Sequence, residues 1–372
     1  MKKVCITGQN GFIGKHLVNN LRLSPEKYSI KNFENIFFND KIKLENCVKD
    51  CDVIIHLAAL NRHIDDKIIY QKNVLLVEKL INALIITNSK AQVIMSSSVQ
   101  ELENNPYGKS KKVGRKKFEE WSKKFNKNFV GMLIPNVFGP FGLPNYNSVV
   151  STFCHNLINN ESLFIQNDKN INLIYIDQVV DEIKSSIDNK TNNAIYNLKP
   201  LKVLKVSELS KRLKKFKQIY IKEGNIPDLS NYFDLVLFNT FRSYINHEDF
   251  FPKRMLLHSD YRGTFLEIIR FNSGGQFSFS TTKAGVVRGN HFHTRKIERF
   301  SVIKGKALVQ LRKIGSSEIL NFYLDGIKPS YIDIPVWFTH NILNIGKEEL
   351  CTVFWINEAY NENDTDTFNE NV

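Results

Sequence analysis

Short apolar runs alternate with longer amphipathic stretches through the first half of the chain. Lys3–Thr7, Val53–Leu57 and Val93–Ser98 have strand length and β-branched or apolar composition, and helical patterns lie between them. Strands alternating with helices predict a parallel, doubly wound sheet, whose ligands gather at the strand C-terminal ends. Gly8, Ala58 and Ser98 all fall at such ends. After Leu198 the pattern loosens. Val206–Phe216 reads as an amphipathic helix, and 228–246 as a short helical connector of mixed aromatic and polar residues. Beyond it the apolar runs are short and separated by Gly, Asn and Asp turns, which predicts an all-β barrel or jelly roll. The expected division is therefore residues 1–245, a Rossmann-type α/β domain, and residues 246–372, an all-β domain.

The first strand runs straight into Gly8-Gln9-Asn10-Gly11-Phe12-Ile13-Gly14, and a helical pattern follows through Leu21. Strand, glycine turn and helix together form a dinucleotide-binding fingerprint, because glycines let the backbone approach a pyrophosphate and the helix start supplies amide donors. Gly8, Gly11, Phe12, Ile13 and Gly14 are candidate cofactor contacts, with Leu57 and Ala58 at the end of the next strand. The region that selects NADPH or NADH reads Tyr28-Ser29-Ile30-Lys31-Asn32-Phe33-Glu34. There Lys31 favours the phosphorylated cofactor and Glu34 the other.

Tyr107 and Lys111 lie four apart and share a face if a helix begins near Pro106. With Ser98 they make a proton-transfer set. A free tyrosine titrates near 10; bringing it to neutrality takes roughly 3 units, about 4 kcal/mol, which an adjacent ammonium and a cationic nicotinamide ring supply.

The second half carries different chemistry. His291 and His293 are two apart and share one face of a strand. Glu298 returns on the next strand, and His340 sits in the apolar run Tyr331–Ile345. Three imidazoles and a carboxylate suit a divalent transition metal such as zinc.

Charge and cysteine usage narrow the setting. The net charge of +13 is concentrated in the lysine-rich stretches 109–127 and 211–217, which read as solvated helix faces. No nucleic-acid module accompanies them, so no nucleic-acid partner is expected, while a basic surface suits an anionic nucleotide-sugar. The five cysteines form no CxxC pair and are expected as thiols in a reducing cytoplasm. No apolar run reaches the ~18–20 residues of a membrane span, and the N-terminus enters a strand without a signal sequence.

The motifs carry resemblances. GxxGxxG followed by Ser98, Tyr107 and Lys111, with His56-Leu57-Ala58-Ala59, Pro135–Pro140 and Leu173–Val180, resembles the extended short-chain dehydrogenase/reductases over about residues 1–240. The spacing Gly285, His291-x-His293, Glu298, Gly305 resembles the first cupin motif. Pro335-x-Trp337-x-x-His340-x-x-x-Asn344 resembles the second, with Trp337 where glycine is usual. The string Asp260-x-Arg262-Gly263-x-Phe265-x-Glu267 resembles the entry to cupins that epimerise deoxysugar nucleotides. A reductase followed by such a cupin, with Leu57–Arg62, Asn105–Gly108, Pro144–Val149, Ser151–Cys154 and Gly289–His293, resembles the CapF family of bifunctional capsular polysaccharide enzymes and its O-antigen relatives. That resemblance implies a UDP-sugar substrate on the route to UDP-N-acetyl-L-fucosamine. It implies C3 epimerisation of a UDP-4-keto-6-deoxy-N-acetylhexosamine in the cupin, then NADPH reduction of the C4 ketone in the reductase. It further implies a homodimer, and Asn61, Arg62, Asn136 and Asn145 at the substrate. Two readings compete with it: a metal-binding cupin that serves only dimerisation, and a regulatory nucleotide-binding protein without turnover.

Overall fold

The computed structural model describes residues 1–189, 193–255, 257–260, 263–266, 275–358 and 361–372. The chain divides into two compact units. One comprises residues 1–152 and 166–206; the other comprises 153–165 and 207–372.

The first unit is the doubly wound sheet. Its elements run β1 (Lys2–Thr7), α1 (Phe12–Arg22), β2 (Tyr28–Lys31), α2 (Lys41–Lys49), β3 (Val53–His56), α3 (Asp66–Ile86), β4 (Gln92–Ser98), α4 (Pro106–Phe125), β5 (Phe129–Ile134), β6 (Asn136–Phe138), α5 (Val149–Ile158), β7 (Asn170–Tyr175), α6 (Ile176–Asp188), β8 (Ala194–Asn197) and β9 (Lys202–Lys205). The main sheet has the order β2-β1-β3-β4-β5-β8, parallel throughout. α1 packs with α6, and α2 and α4 pack with α3, as helices on the two faces of such a sheet do. Covered on both sides, the central strands are apolar without alternation: Val4, Cys5, Ile6, Ile54, Ile55, Val93 and Ile94 are buried. The segment between β2 and β3 forms a 3₁₀ turn, Asn35–Asn39, and then α2, which Asp40 caps by accepting from the Lys43 amide. The strand order reverses between β1 and β3, so a crevice opens where the glycine loop meets Ala58.

The second unit takes residues 153–165, with the latter part of α5, and then α7 (Val206–Phe216), a π-helical turn over Lys217–Lys222, α8 (Tyr232–Arg242) and the single turn α9 (His247–Phe250). Its strands are β10 (Lys253–Arg254), β11 (Leu257–Asp260), β12 (Gly263–Leu266), β13 (Gln276–Thr282), β14 (Val287–Phe292), β15 (Glu298–Lys304), β16 (Lys306–Lys313), β17 (Ile319–Asp325), β18 (Ser330–Ile334), β19 (Phe338–Asn344), β20 (Leu350–Ile356) and β21 (Phe368–Asn369). They form two antiparallel five-stranded sheets, β10-β18-β15-β20-β13 and β17-β16-β19-β14-β21, with β11 and β12 as a separate hairpin. Ala307, Val309 and Leu311 alternate inward along β16, as a one-sided strand requires. Of the string that resembles the cupin entry, Arg262 and Glu267 lie outside the described residues.

Trp337 explains why glycine is usual at its position. Its φ is +61°, the left-handed region, where a bulky residue is strained. Two contacts offset that strain. The Trp337 amide donates to the His293 carbonyl at 2.8 Å, and its buried ring stacks on Phe292 with centroids 5.5 Å apart.

Arg299 on β15 and Asp333 on β18 are directly opposed and buried at 2% and 1% exposure. The guanidinium donates through Nε and Nη2 to the two carboxylate oxygens at 2.7 and 3.0 Å, and through Nη1 to the Gly224 carbonyl at 2.8 Å. The Tyr220 hydroxyl also donates to Asp333. Burial alone would raise the Asp333 carboxyl, but Arg299 holds it below its ordinary range. Removing one partner strands a buried charge. Asp333→Ala is expected to cost the second unit about 3–5 kcal/mol in urea unfolding, whereas Arg299→Met with Asp333→Leu recovers most of the loss. A loss below about 1 kcal/mol for Asp333→Ala, the range of an exposed pair, would show that the pair is not holding the barrel.

Candidate active sites

The first site is built on the β1–α1 turn. Gly8 has φ +78°, and a side chain there would bring its Cβ to 2.8 Å from the Ala58 amide nitrogen. Gly14 approaches as closely: a Cβ would lie 2.3 Å from the Gly8 carbonyl. Helix α1 starts after Gly11 with no side-chain cap and no acidic residue in its first turn. The amides around Phe12 and Ile13 are therefore available to a phosphate. Leu57 and Ala58 are fixed opposite: their amides donate to the Thr7 carbonyl and hydroxyl at 3.1 and 3.3 Å. The Thr7 hydroxyl in turn meets His56 Nδ1 at 2.9 Å. Burial, then the nearby Lys111, pushes His56 down to about 3, so it stays neutral.

The end of β2 sharpens the cofactor question. The Lys31 ammonium lies 3.9 Å from Asp50. The neutral Asn32 is the residue that meets the glycine loop, accepting from Gln9 Nε2 at 3.0 Å, with Glu34 behind it at 3.3 Å.

Ser98, Tyr107 and Lys111 come from the end of β4 and the start of α4. Ser96 and Ser97 are committed inward. The Ser97 hydroxyl donates to Glu101, which Arg115 clamps with Nε at 2.9 Å and Nη2 at 2.7 Å. The Ser98 hydroxyl caps the following 3₁₀ turn, Val99–Leu102, accepting from the Gln100 amide at 3.2 Å. Asn105 caps α4 by accepting from the Gly108 amide at 2.7 Å, and Pro106 follows in the first turn. Gly108 permits the approach of helix to turn, since a Cβ there would sit 1.9 Å from the Gln100 carbonyl oxygen.

Lys111 is buried, and its ammonium donates to the Ser96 carbonyl at 2.8 Å, 5.7 Å from the centre of the Tyr107 ring. Burial pushes Lys111 down to about 8, against the pull of Glu101. Tyr107 moves up, to about 12, because of burial and then its neighbour Tyr146. The lowering expected from an ammonium and a cationic ring is thus absent from the chain alone: Lys111 is turned to Ser96, and desolvation dominates.

Asn73 escaped the sequence reading. Its Oδ1 accepts from the Leu60 amide at 2.7 Å, and its Nδ2 donates to the Leu60 carbonyl and the Ser110 hydroxyl, both at 3.0 Å. It therefore ties the loop after β3 to the residue beside Lys111. The available signal was a polar residue on the apolar stripe Ile69, Asn73, Val77, Leu80 of α3. Of the expected substrate residues, Arg62 and Asn145 are together, with Arg62 Nη1 donating to the Asn145 carbonyl at 3.3 Å. Asn61 keeps a buried Oδ1 without a hydrogen-bond partner. Asn136 instead donates to the Asn172 carbonyl at 3.2 Å.

The second site lies in the barrel. His291 and His340 are cross-strand partners on β14 and β19, His293 follows β14, and Glu298 opens β15. One ligand atom from each lies within 4.8 Å of all the others. Glu298 Oε2 is 3.1 Å from His340 Nε2 and 3.4 Å from His293 Nε2. All three atoms are buried and complete no hydrogen bond. Converging donors without partners fit a divalent cation. His293 Nδ1 bonds the Asp366 carbonyl at 2.5 Å, which leaves Nε2 to face the cluster. Burial, then the two other imidazoles, pushes His291 down to about 4, so it offers a lone pair at neutral pH. Burial alone would raise Glu298, but His293 and His340 hold it well below the carboxylate range.

Comparison with known proteins follows the same division. A family model described as the NAD dependent epimerase/dehydratase family matches residues 4–198, and one described as the polysaccharide biosynthesis C-terminal domain matches residues 258–368. The chain is 32% identical over 369 residues, 98% of each chain, to a Pseudomonas aeruginosa protein named UDP-2-acetamido-2,6-beta-L-arabino-hexul-4-ose reductase. It is 25% identical over 126 residues to the spore coat polysaccharide biosynthesis protein SpsL of Bacillus subtilis, covering 31% of this chain and 82% of that one. The crystal structure of the capsular polysaccharide assembling protein CapF from Staphylococcus aureus aligns over 100% of both chains, with 31% identity and a TM-score of 0.63. No helix among the described residues is long and apolar enough to cross a membrane.

The donor set predicts about one divalent ion per chain in protein purified without chelator, with zinc the expected species. His340→Ala removes one donor from a closed set and should reduce metal content at least tenfold by elemental analysis. Full metal content in the folded variant would place the ion elsewhere.

Proposed function

The chain belongs to the NAD dependent epimerase/dehydratase family and shares its whole length with CapF; on that premise we propose a bifunctional nucleotide-sugar enzyme. In this reading the barrel inverts C3 of a UDP-4-keto-6-deoxy-N-acetylhexosamine, and the Rossmann unit reduces the C4 ketone. The product is UDP-2-acetamido-2,6-dideoxy-L-talose, for capsule or O-antigen. The observation that supports the reading is that one chain holds a tyrosine–lysine pair and an imidazole–carboxylate cluster, each suited to chemistry at a ketone. Tyr107 and Lys111 lie beside the end of β4, and an imidazole–carboxylate cluster lies inside a barrel.

The residues divide the work. The amides at the start of α1 bind the cofactor pyrophosphate, and Leu57 and Ala58 line the same crevice. Bound nicotinamide supplies the hydride, and NADPH is proposed because neutral Asn32, not a carboxylate, is the first residue after β2. Tyr107, held protonated by burial, gives its proton to the oxygen of the reduced ketone. Lys111 places a positive charge beside that phenol, and Ser98 Oγ orients the carbonyl. Asn61 offers an unpaired acceptor to the sugar, and Arg62 a cation to its diphosphate. In the barrel, His291, His293, Glu298 and His340 would hold a divalent ion, which would supply positive charge to the substrate carbonyl.

Chemistry sets the order. A C3 proton is acidic only beside the C4 ketone, so epimerisation precedes reduction. Incubating the protein with the keto-sugar in deuterated water is the test. Deuterium is expected at C3 without NADPH, and absence of exchange would leave the barrel without a catalytic role. Tyr107→Phe should lower NADPH oxidation roughly 10²–10⁴-fold, the range for a general acid, and leave C3 exchange intact. Loss of both activities in folded protein would show that the sites are not separable.

Lys111 gives the pH dependence. Its depressed pKa means that the ammonium is present below about 8 and lost above it. kcat/KM for reduction should therefore fall as pH rises through about 8, while C3 exchange shows no inflection from this group. A reduction rate flat from neutrality to pH 10 would remove the charge of Lys111 from the mechanism.

A further inference from the structure

The last residues of the chain form a strap on the metal-ligand strands. β21 pairs with β14, Asn369 opposite His291 and Phe368 opposite Phe292. The Glu370 amide donates to the Asn290 carbonyl at 3.0 Å, and Thr339, one residue before His340, donates its hydroxyl to the Glu370 carbonyl. Asp366, just before this pairing, is buried at 5% exposure with φ +44°.

Its carboxylate is unusually committed. Oδ1 accepts from the Thr294 amide at 3.1 Å and the Thr294 hydroxyl at 2.6 Å, and Oδ2 accepts from the Arg295 and Lys296 amides, both at 3.0 Å. Three consecutive backbone N–H groups thus converge on one side chain. They belong to the turn that leaves His293 and leads to Glu298. The main-chain carbonyl of the same residue faces His293 Nδ1 at 2.5 Å. A carbonyl only accepts, so Nδ1 must carry the proton, and Nε2 is left to face Glu298. Lys296 adds a further tie, its buried ammonium donating to the Thr365 carbonyl at 2.7 Å.

We propose that Asp366 is the positioning residue of the imidazole–carboxylate cluster: its side chain sets the turn between His293 and Glu298, and its carbonyl sets the His293 tautomer. The inference rests on the reading of the cluster as a metal site, and it assigns to the chain's end a role in that site. The sequence separation of 73 residues between Asp366 and His293 means that no local spacing carries this relation. Outer partners of this kind typically change metal affinity 10–100-fold when removed.

The test uses the full chain. Asp366→Asn keeps the size and the main-chain carbonyl but replaces one acceptor oxygen by a donor, which leaves two of the four donors unmet. Its affinity for Co²⁺, measured by competition with a chromophoric chelator, should fall about 10–100-fold, and the visible Co²⁺ absorption should change shape. Thr294→Val removes a single hydrogen bond, should weaken Co²⁺ severalfold, and serves if Asp366→Asn does not fold. Imidazole ¹⁵N shifts read the tautomer in metal-free protein. Wild type should show His293 fixed with Nδ1 protonated; Asp366→Asn, by releasing the turn that the side chain holds and so separating His293 from the Asp366 carbonyl, should show exchange between tautomers. Failure of wild type to bind Co²⁺ would overturn the metal reading, while the ¹⁵N spectra would still decide the positioning role. Unchanged affinity and an unchanged His293 tautomer in folded Asp366→Asn, or in folded Thr294→Val if the first variant is lost, would overturn the proposal.

Discussion

The barrel site depends on a strand register, and the register depends on one buried ion pair. Arg299 and Asp333 face each other across β15 and β18. Side chains alternate along a strand, so fixing Arg299 towards Asp333 turns its neighbour Glu298 to the opposite face, towards the histidines. A slip of one residue would exchange the two. Glu298 would then meet Asp333, and Arg299 would meet three imidazoles. The first buries two carboxylates together and the second strands a guanidinium without its carboxylate, so the pair discriminates against the wrong register beyond its own attraction. The strap acts on the other side of Glu298, through Asp366 and the turn that precedes β15. The cluster is thus held at both ends of a short segment by carboxylates that are not themselves ligands.

The Rossmann unit solves a related problem with an amine. Lys111 is out of water, and its direct acceptor is the Ser96 carbonyl. A neutral acceptor compensates a buried charge incompletely, which is why Lys111 titrates low. Glu101 is the nearby carboxylate, but Arg115 and Ser97 already occupy it. Lys111 is therefore left with charge to spare at the end of β4. That residual field suits the proton-donor role proposed for Tyr107, whose own burial keeps the phenol protonated.

Much of both sites was legible because their chemistry is written in local spacing. The glycine loop needs three glycines within one turn, Tyr107 and Lys111 need one helical turn, and His291 and His293 need one strand repeat. His340 was legible through its place in an apolar strand. What stayed hidden depends on partners distant in the chain. Asn73 meets Ser110, Arg299 meets Asp333, and Asp366 meets the turn after His293. Asn73 and Asp333 are polar residues among apolar ones, and Asp366 sits in an acidic, Asn-rich tail that singles out none of its carboxylates; in each case the sequence does not say what satisfies the group. The Lys31–Glu34 ambiguity had a different origin. Register decides which side chain faces the glycine loop, and the answer is Asn32, which the charge pattern does not mark. Trp337 departs from the glycine of its motif for a packing reason: stacking on Phe292 makes a left-handed tryptophan tolerable.

In the proposed reaction both sites meet the same atom. Removing the C3 proton moves negative charge onto the C4 oxygen as an enolate, and delivering hydride to C4 moves it onto that oxygen as an alkoxide. Each site must therefore present positive charge to one oxygen while denying it bulk water. The barrel does so with three imidazoles and a single carboxylate, a set that leaves a divalent cation with net positive charge. The Rossmann unit does so with an under-compensated ammonium and a neutral phenol. The difference between them lies in the proton. Epimerisation must return it to carbon, so the barrel needs a group that exchanges a proton at C3. Reduction must end with it on oxygen. A tyrosine kept protonated suits the second task. On the proposed scheme the two sites share positive charge at one oxygen and differ in where the proton ends.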